Sequence, residues 1–255
     1  MYKIPFLAQR IALSLLLSIF LVSTLFVTGC TSRVSILEKD ESAQSSGTDI
    51  SGLMAEADAL WGKRGERASA EAAIAKWVEA AQANPTSAAP QLKLTYAYYF
   101  YANAHLQWAD SDDPEEEMKE AFDKGAIAGE RAIKLTSPEF AERIKKGDDW
   151  DEAVSVVTSA EGHGALYWYA TNLGKWAMLD GFVTLLRFKD RAYAVMSHIK
   201  DQNETFFHGA PHRYFGVYRT KIPFPGGDAD ASKTHFDRAL ELAPGYVDTK
   251  VFYAQ

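Results

Sequence analysis

One spacing recurs along this chain and restricts what it can fold into: an aromatic residue, an alanine three positions on, and a proline five beyond that. It occurs as Trp77, Ala80 and Pro85, preceded by Ala73, and again as Phe236, Ala239 and Pro244. A looser copy, in EAFDKGAIAGERAIKLTSP, sets Ala132 six residues before Pro138. Residues three and four apart share one face of a helix. The alanine lets a second helix come close, the ring fills the gap beside it, and the proline stops the helix before the next begins. Each such helix carries an apolar stripe that only neighbouring helices can cover.

The spacing is the closing half of a tetratricopeptide unit, and beyond Pro85 the next helix supplies Leu94, Thr95 and Tyr98 where such a unit expects Leu, a small residue and Tyr. Residues 53–66 pair with 69–84 as a first helical hairpin, and 87–110 with 114–135 as a second. Asp113-Pro114-Glu115-Glu116 is a helix start with a capping carboxylate, proline in the first turn and acid at the positive end. Ser137-Pro138-Glu139 repeats it, Thr158 and Glu161 have capping-box spacing, and Asp230 is read as the cap of the helix bearing Phe236, Ala239, Leu240 and Leu242. Residues 137–207 keep the helical period but lose the repeat signature. Gly162, Gly164 and Gly174 punctuate this part at about 1 kcal/mol each against alanine, pointing to close backbone approach or a kink. No segment has a strand period long enough for a sheet, so the expected fold class is all-α, a tetratricopeptide-like helical-hairpin solenoid over residues 51–255.

The first thirty residues differ from the rest. Lys3 and Arg10 precede an apolar run from Ile11 to Val27, followed by Thr28-Gly29-Cys30. A charged start, an apolar core and small residues before the cleavage point make an export signal over residues 1–29. Cys30 stands where a bacterial lipobox places the lipidated residue; it is the one cysteine of the chain, so the domain has no disulfide to draw on. Residues 30–50, polar and rich in Ser, Thr and Gly, are expected to be a flexible tether after the lipidated cysteine. Thr31 rather than Asp after the cysteine resembles lipoproteins sent to the outer membrane. The leader takes two of the 27 basic residues and none of the 34 acidic ones, leaving the body more acidic than the formal −7 of the whole chain. That balance argues against a nucleic-acid partner and against polybasic attachment to anionic lipid.

From Ala160 onward the order of motifs becomes specific. Ala165-Leu166-Tyr167-Trp168-Tyr169-Ala170 with Leu173-Gly174 is followed by Gly209-Ala210-Pro211-His212-Arg213-Tyr214-Phe215-Gly216. Pro225-Gly226-Gly227-Asp228 then leads into Lys233, Phe236 and Ala239. This series resembles the T-component of tripartite ATP-independent periplasmic (TRAP) transporters, lipoproteins with divergent tetratricopeptide helices, over roughly residues 51–255. The resemblance implies an oligomeric, lipid-anchored adaptor on the periplasmic face of the outer membrane. Its partner would be a periplasmic solute-binding protein, and a cleft or pore would lie near the irregular segments. The family's fold runs on past a point like Gln255, so either the C-terminus is truncated or the final helix is short.

Candidate binding residues follow from type and setting. Tyr96, Tyr98, Tyr99, Phe100 and Tyr101 are denser in aromatics than one buried face requires, which makes Tyr98 and Tyr101 candidates for a groove or partner surface beside the reading as core. Tyr167-Trp168-Tyr169 cannot all face one core, which singles out Trp168. His212, Arg213 and Tyr214 sit in a Pro/Gly-framed loop, where Arg213 would clasp a carboxylate or form an ion pair with Asp228 or Asp230. His208 and His212, separated by Gly and Pro, read as structural rather than as metal ligands, and His163 and His105 as capping or core residues. No nucleophile elbow, phosphate loop, metalloprotease motif or framed carboxylate pair is present, so the expectation is a non-enzyme without cofactor or metal. Two further readings stay open: a scaffold for outer-membrane assembly, and a stand-alone small-molecule-binding lipoprotein with an apolar pocket near Trp168 and Tyr214.

Overall fold

The computed structural model describes residues 33–39, 47–222 and 226–254. The leader and Cys30 lie outside them. Within the compact unit Ser35–Gln255 eleven α-helices follow one another: α1 Ser51–Trp61, α2 Arg67–Ala83, α3 Ala88–Tyr101, α4 Pro114–Thr136, α5 Pro138–Lys146, α6 Trp150–Ala153, α7 Ala160–Asp180, α8 Phe182–Gln202, α9 Phe206–Lys221, α10 Ala229–Leu242 and α11 Val247–Ala254. No strand occurs among the described residues, and the all-α expectation holds. No helix among them is long and apolar enough to cross a membrane.

Local chemistry accounts for the boundaries. The Asp113 side chain accepts from the Glu116 amide at 3.1 Å, with Pro114 in the first turn of α4. Gly147 ends α5 at φ 93°, a left-handed value that favours glycine. Two caps fall elsewhere than the sequence indicated. Ser159, not Thr158, caps α7 through the Gly162 amide at 3.0 Å. Asp228, not Asp230, caps α10 through the Ala231 amide at 2.9 Å; its extended backbone points the carboxylate at the third amide, whereas Asp230 already lies in the first turn. Beyond Tyr101, α3 widens into a π-turn over Ala102–Leu106 before the chain reaches Asp113.

The residues of the recurring spacing are buried where helices meet: Ala73, Trp77 and Ala80 on α2, Ala132 on α4, Phe236 and Ala239 on α10. The densest junction, however, joins α3, α4 and α7. A Cβ on Gly129 would stand 2.7 Å from Tyr169 Cβ and 2.9 Å from its Cα, and one on Gly125 would run into the Asn172 carboxamide. The approach is locked by buried polar contacts. Thr95 Oγ1 donates to the Gly125 carbonyl at 2.9 Å, and Asn172 Nδ2 donates to the Thr95 and Trp168 carbonyls at 2.9 and 2.8 Å.

Of the glycines read as close approaches or kinks, Gly162 is a close approach, against Val157 and Ser137, whereas Gly164 and Gly174 face open space. The close approach sits on α4 instead. Part of the stretch expected as tether is also packed: Ser35 Oγ and the Ile36 amide donate to the buried Glu130 carboxylate at 2.7 and 3.2 Å, and Leu37 is fully buried. A buried carboxylate needs such donors.

Gly129→Ala should therefore destabilise the protein by about 1–3 kcal/mol through overpacking, despite a helix-propensity gain of about 1 kcal/mol. Gly164→Ala, with nothing near its Cβ, should be neutral or stabilising by up to about 1 kcal/mol. Urea denaturation of the two variants checks both signs.

Candidate functional site

Three helices each turn one helical stripe toward a shared cavity of about 290 Å³. From α7 come Tyr167, Ala170, Thr171, Gly174, Lys175, Ala177 and Met178; from α8, Leu185, Phe188, Lys189, Ala192 and Met196; from α9, Ala210, Arg213, Tyr214, Val217, Tyr218 and Lys221. Tyr99 of α3 and Phe252 of α11 complete the wall. The spacing within each set is that of one helix face. The space exists because Ala170, Gly174, Ala177, Ala192 and Ala210 are small where the surrounding core positions carry Leu, Phe and Trp. A Cβ at Gly174 would meet nothing within 4 Å, so this glycine keeps the cavity open. Lys221 and Met178, both exposed, mark its mouth.

The start of α9 shapes the inner end. Phe207, His208 and Gly209 have φ of 41°, 61° and 72°, left-handed values that cost the two non-glycine residues about 1–3 kcal/mol each. Pro211 follows in the first regular turn, where a missing amide does no harm. The stretch read as an irregular loop is thus a short left-handed turn followed by helix. Arg213 holds it: the guanidinium donates to the Phe207 carbonyl at 2.8 Å and to the His208 carbonyl, and lies 4.4 Å from the Tyr246 ring centre. His208 stacks on the same Tyr246 ring, centroids 4.6 Å apart. The expected ion pair of Arg213 with Asp228 or Asp230 is replaced by these carbonyls. Asp228 is engaged as a helix cap, and Asp230 lies in the first turn of α10.

Electrostatics divide the wall. Burial pushes the phenols of Tyr99, Tyr167 and Tyr214 above their ordinary value, with Arg213 pulling Tyr167 the other way. Burial, and then Lys221 close by, lowers Lys175 below the usual lysine range. Lys189 pairs with its neighbour Asp190.

The remaining candidates from the sequence are scattered. Arg213 and Tyr214 line the cavity. Trp168 stands behind it in an aromatic cluster, its ring centre 4.8 to 5.4 Å from those of Tyr99, Tyr167 and Phe207. Tyr98 packs against both apolar cores of the molecule, as does Tyr101, whose hydroxyl donates to Glu71. His212 points away, 3.0 Å from His235 and 3.3 Å from Glu204. His163 and His198 both turn Nε2 to the Val157 carbonyl, at 3.0 and 2.7 Å. Among the described residues no three His, Cys, Asp or Glu converge as a metal site. Sequence reasoning singled out Gly174 as a close approach or kink rather than as cavity lining, and missed Lys175, Lys189 and Lys221. The signal available was the four-cation, small-residue pattern at helical spacing on α7, α8 and α9, visible only once those helices are set face to face.

Residues 68–255 match the family model described as TRAP transporter T-component. No curated protein matches the chain.

The His212–His235 pair carries a prediction. Burial lowers both imidazoles from the ordinary 6.5, His235 to about 4 with further help from His212, Lys200 and Arg219; Glu204 and Arg238 face His212. Folding then favours the neutral rings, and the unfolded chain binds more protons between pH 6.5 and 4. Stability is complete above pH 6.5 and falls as the pH drops through that window. His235→Gln should flatten the fall in melting temperature from pH 6.5 to 4 while changing little at pH 8, read by circular dichroism.

Proposed function

The chain belongs to the TRAP transporter T-component family, and on that premise we propose that it is a lipid-anchored adaptor of a TRAP-type uptake system that docks a periplasmic solute-binding protein. Membership itself ties the chain to TRAP transport and to the bacterial envelope. The finer reading puts Cys30 in the periplasmic face of the outer membrane and the helical body in reach of its partner, with the cavity receiving the solute the partner carries.

One juxtaposition carries this reading. Met178, at the cavity mouth, is 47% exposed, and Phe182 and Val183, at the corner between α7 and α8, are 57% and 74% exposed. Exposed apolar side chains at the corner that follows the mouth residue Met178 are costly in water and are the kind a docking partner covers. The cavity alone also favours a second reading, a stand-alone small-molecule-binding lipoprotein, in which the corner stays uncovered or contacts a second copy.

The discriminating experiment presents the immobilised chain with a purified TRAP solute-binding protein from the same organism. The wild type should retain it at near-equal amounts, and Phe182→Asp with Val183→Asp should weaken retention at least about tenfold, which is about 1.4 kcal/mol. Both positions are exposed, so the fold should survive. Loss of retention by the wild type would overturn the adaptor reading. Retention undiminished in the variant would move the docking face elsewhere, and a variant that only shifts oligomeric state would assign the corner to contact between copies.

A further inference from the structure

The short stretch Ser35–Lys39 is a strap docked on the helical body. Ser35 Oγ and the Ile36 amide donate to the Glu130 carboxylate at 2.7 and 3.2 Å, and Ser35, Ile36, Leu37 and Glu130 are all buried. Farther along, Lys134 Nζ donates to the Lys39 carbonyl at 2.8 Å, and Arg191 of α8 pairs with Glu38 at 3.3 Å. The strap thus lies on α4 and α5 and is tied to α8. Lifting it off would strip two donors from a carboxylate shielded from water and expose Leu37, both unfavourable. A segment held this way is a fixed point on the body, and it begins only five residues after Cys30.

We propose that the docked strap turns one face of the body, formed by α5 and the C-terminal half of α4, toward the lipid bilayer and holds it there. This rests on the reading of Cys30 as the lipid-bearing residue and adds the surface that meets the membrane. Chain length decides it. From Cys30 to Ser35 the backbone reaches about 18 Å at full extension. A compact unit the size of Ser35–Gln255 has a radius of gyration of about 17 Å and is roughly 40 Å across. With the strap docked, the opposite face is farther from Ser35 than the chain can reach, so it cannot turn to the bilayer. Val34, the residue before the strap, is 57% exposed and apolar, as suits a position next to head groups. The tie is covalent and needs no basic patch, in keeping with an acidic body. It also reaches the cavity: the Arg191 guanidinium that meets Glu38 lies 5.2 Å from the ring centre of Phe188, a wall residue. One helix therefore carries the strap contact and part of the cavity wall, which fixes the attitude of the cavity to the membrane.

The test is energy transfer from a fluorophore on the body to an acceptor on lipid head groups. The full chain, produced with its leader, is reconstituted in vesicles of phosphatidylethanolamine and phosphatidylglycerol. Cys30 is the one cysteine and its thiol carries the lipid, so an introduced cysteine takes the label alone. Glu142→Cys places the label on an exposed position of α5, and Thr234→Cys on an exposed position of α10, which packs on α9 and α11. Transfer should be at least about twofold greater from 142 than from 234, because the strap is shorter than the body is wide. Inserting twenty Gly and Ser residues between Thr31 and Ser32 leaves the strap docked but adds roughly 25 Å of average reach, and should bring the two transfers together. Leu37→Asp, which expels the strap, should do the same, with circular dichroism confirming the fold. Equal transfer in the chain without the insertion would overturn the proposal. A difference that survives the insertion would also overturn it, assigning the orientation to direct contact between body and lipid. Mass spectrometry of Cys30 separates the two readings: an unmodified cysteine overturns the anchor and the orientation together, whereas an acylated one with equal transfers keeps the anchor and removes only the fixed face.

Discussion

The contact between α4 and α7 at Gly125 and Gly129 sets the positions of the other elements. Two helices this close leave no space for a methyl group between them, so van der Waals contact runs backbone to side-chain base along the seam. Close approach also buries backbone carbonyls that need donors, and Thr95 and Asn172 provide them across three helices. The polar clasp fixes the register that the apolar surfaces alone would leave free to slide. Once α7 is held this way, its opposite stripe, from Tyr167 through Gly174 to Met178, points at α8 and α9. The cavity is therefore a consequence of how tightly the other side of the same helix is packed.

A second layer of organisation is aromatic. Trp61 and Trp77 of the first hairpin lie 5.3 Å apart, Trp61 meets Tyr96 at 5.7 Å, and Tyr96 meets Trp168 at 4.5 Å. Trp168 then meets Phe207 at 5.1 Å, and Phe207 meets Tyr246 at 5.9 Å. This run of rings connects α1 to the loop before α11 through tilted and edge contacts, the geometry aromatic quadrupoles favour. It also explains the left-handed turn at the start of α9. The turn inserts Phe207 into the run, and the strain is held by Arg213 and by the stacking of His208 on Tyr246. Several residues singled out as candidate contacts are thus also part of the frame around the cavity, because large rings and a guanidinium serve equally well as packing and as recognition.

The repeat spacing was legible in the sequence because it is a local property. Ala80, Ala132 and Ala239 are small because a helix passes close by, and the prolines stop helices for reasons internal to the chain. Helix caps were readable to within one or two residues, since Ser159 and Asp228 compete with equally plausible neighbours and only the backbone direction decides between them. The family was legible too, from the ordered motifs after Ala160. The lysines were not. Lys175, Lys189 and Lys221 are common residues at ordinary spacings, and each alone reads as a solvated side chain. Their meaning depends on three helices that lie up to 46 positions apart along the chain converging on one space.

The sequence by itself determined that this chain makes helices, where they start and stop, and which faces must be covered, because those properties arise from interactions within a few residues. Only the tertiary structure decided which glycines are close approaches and which hold open a cavity, and which cations are struts and which line that cavity. Those distinctions belong to the space between helices. Gly129 and Gly174 are the same residue in the same kind of helix, and what separates them is that Tyr169 stands against one while the other faces open space.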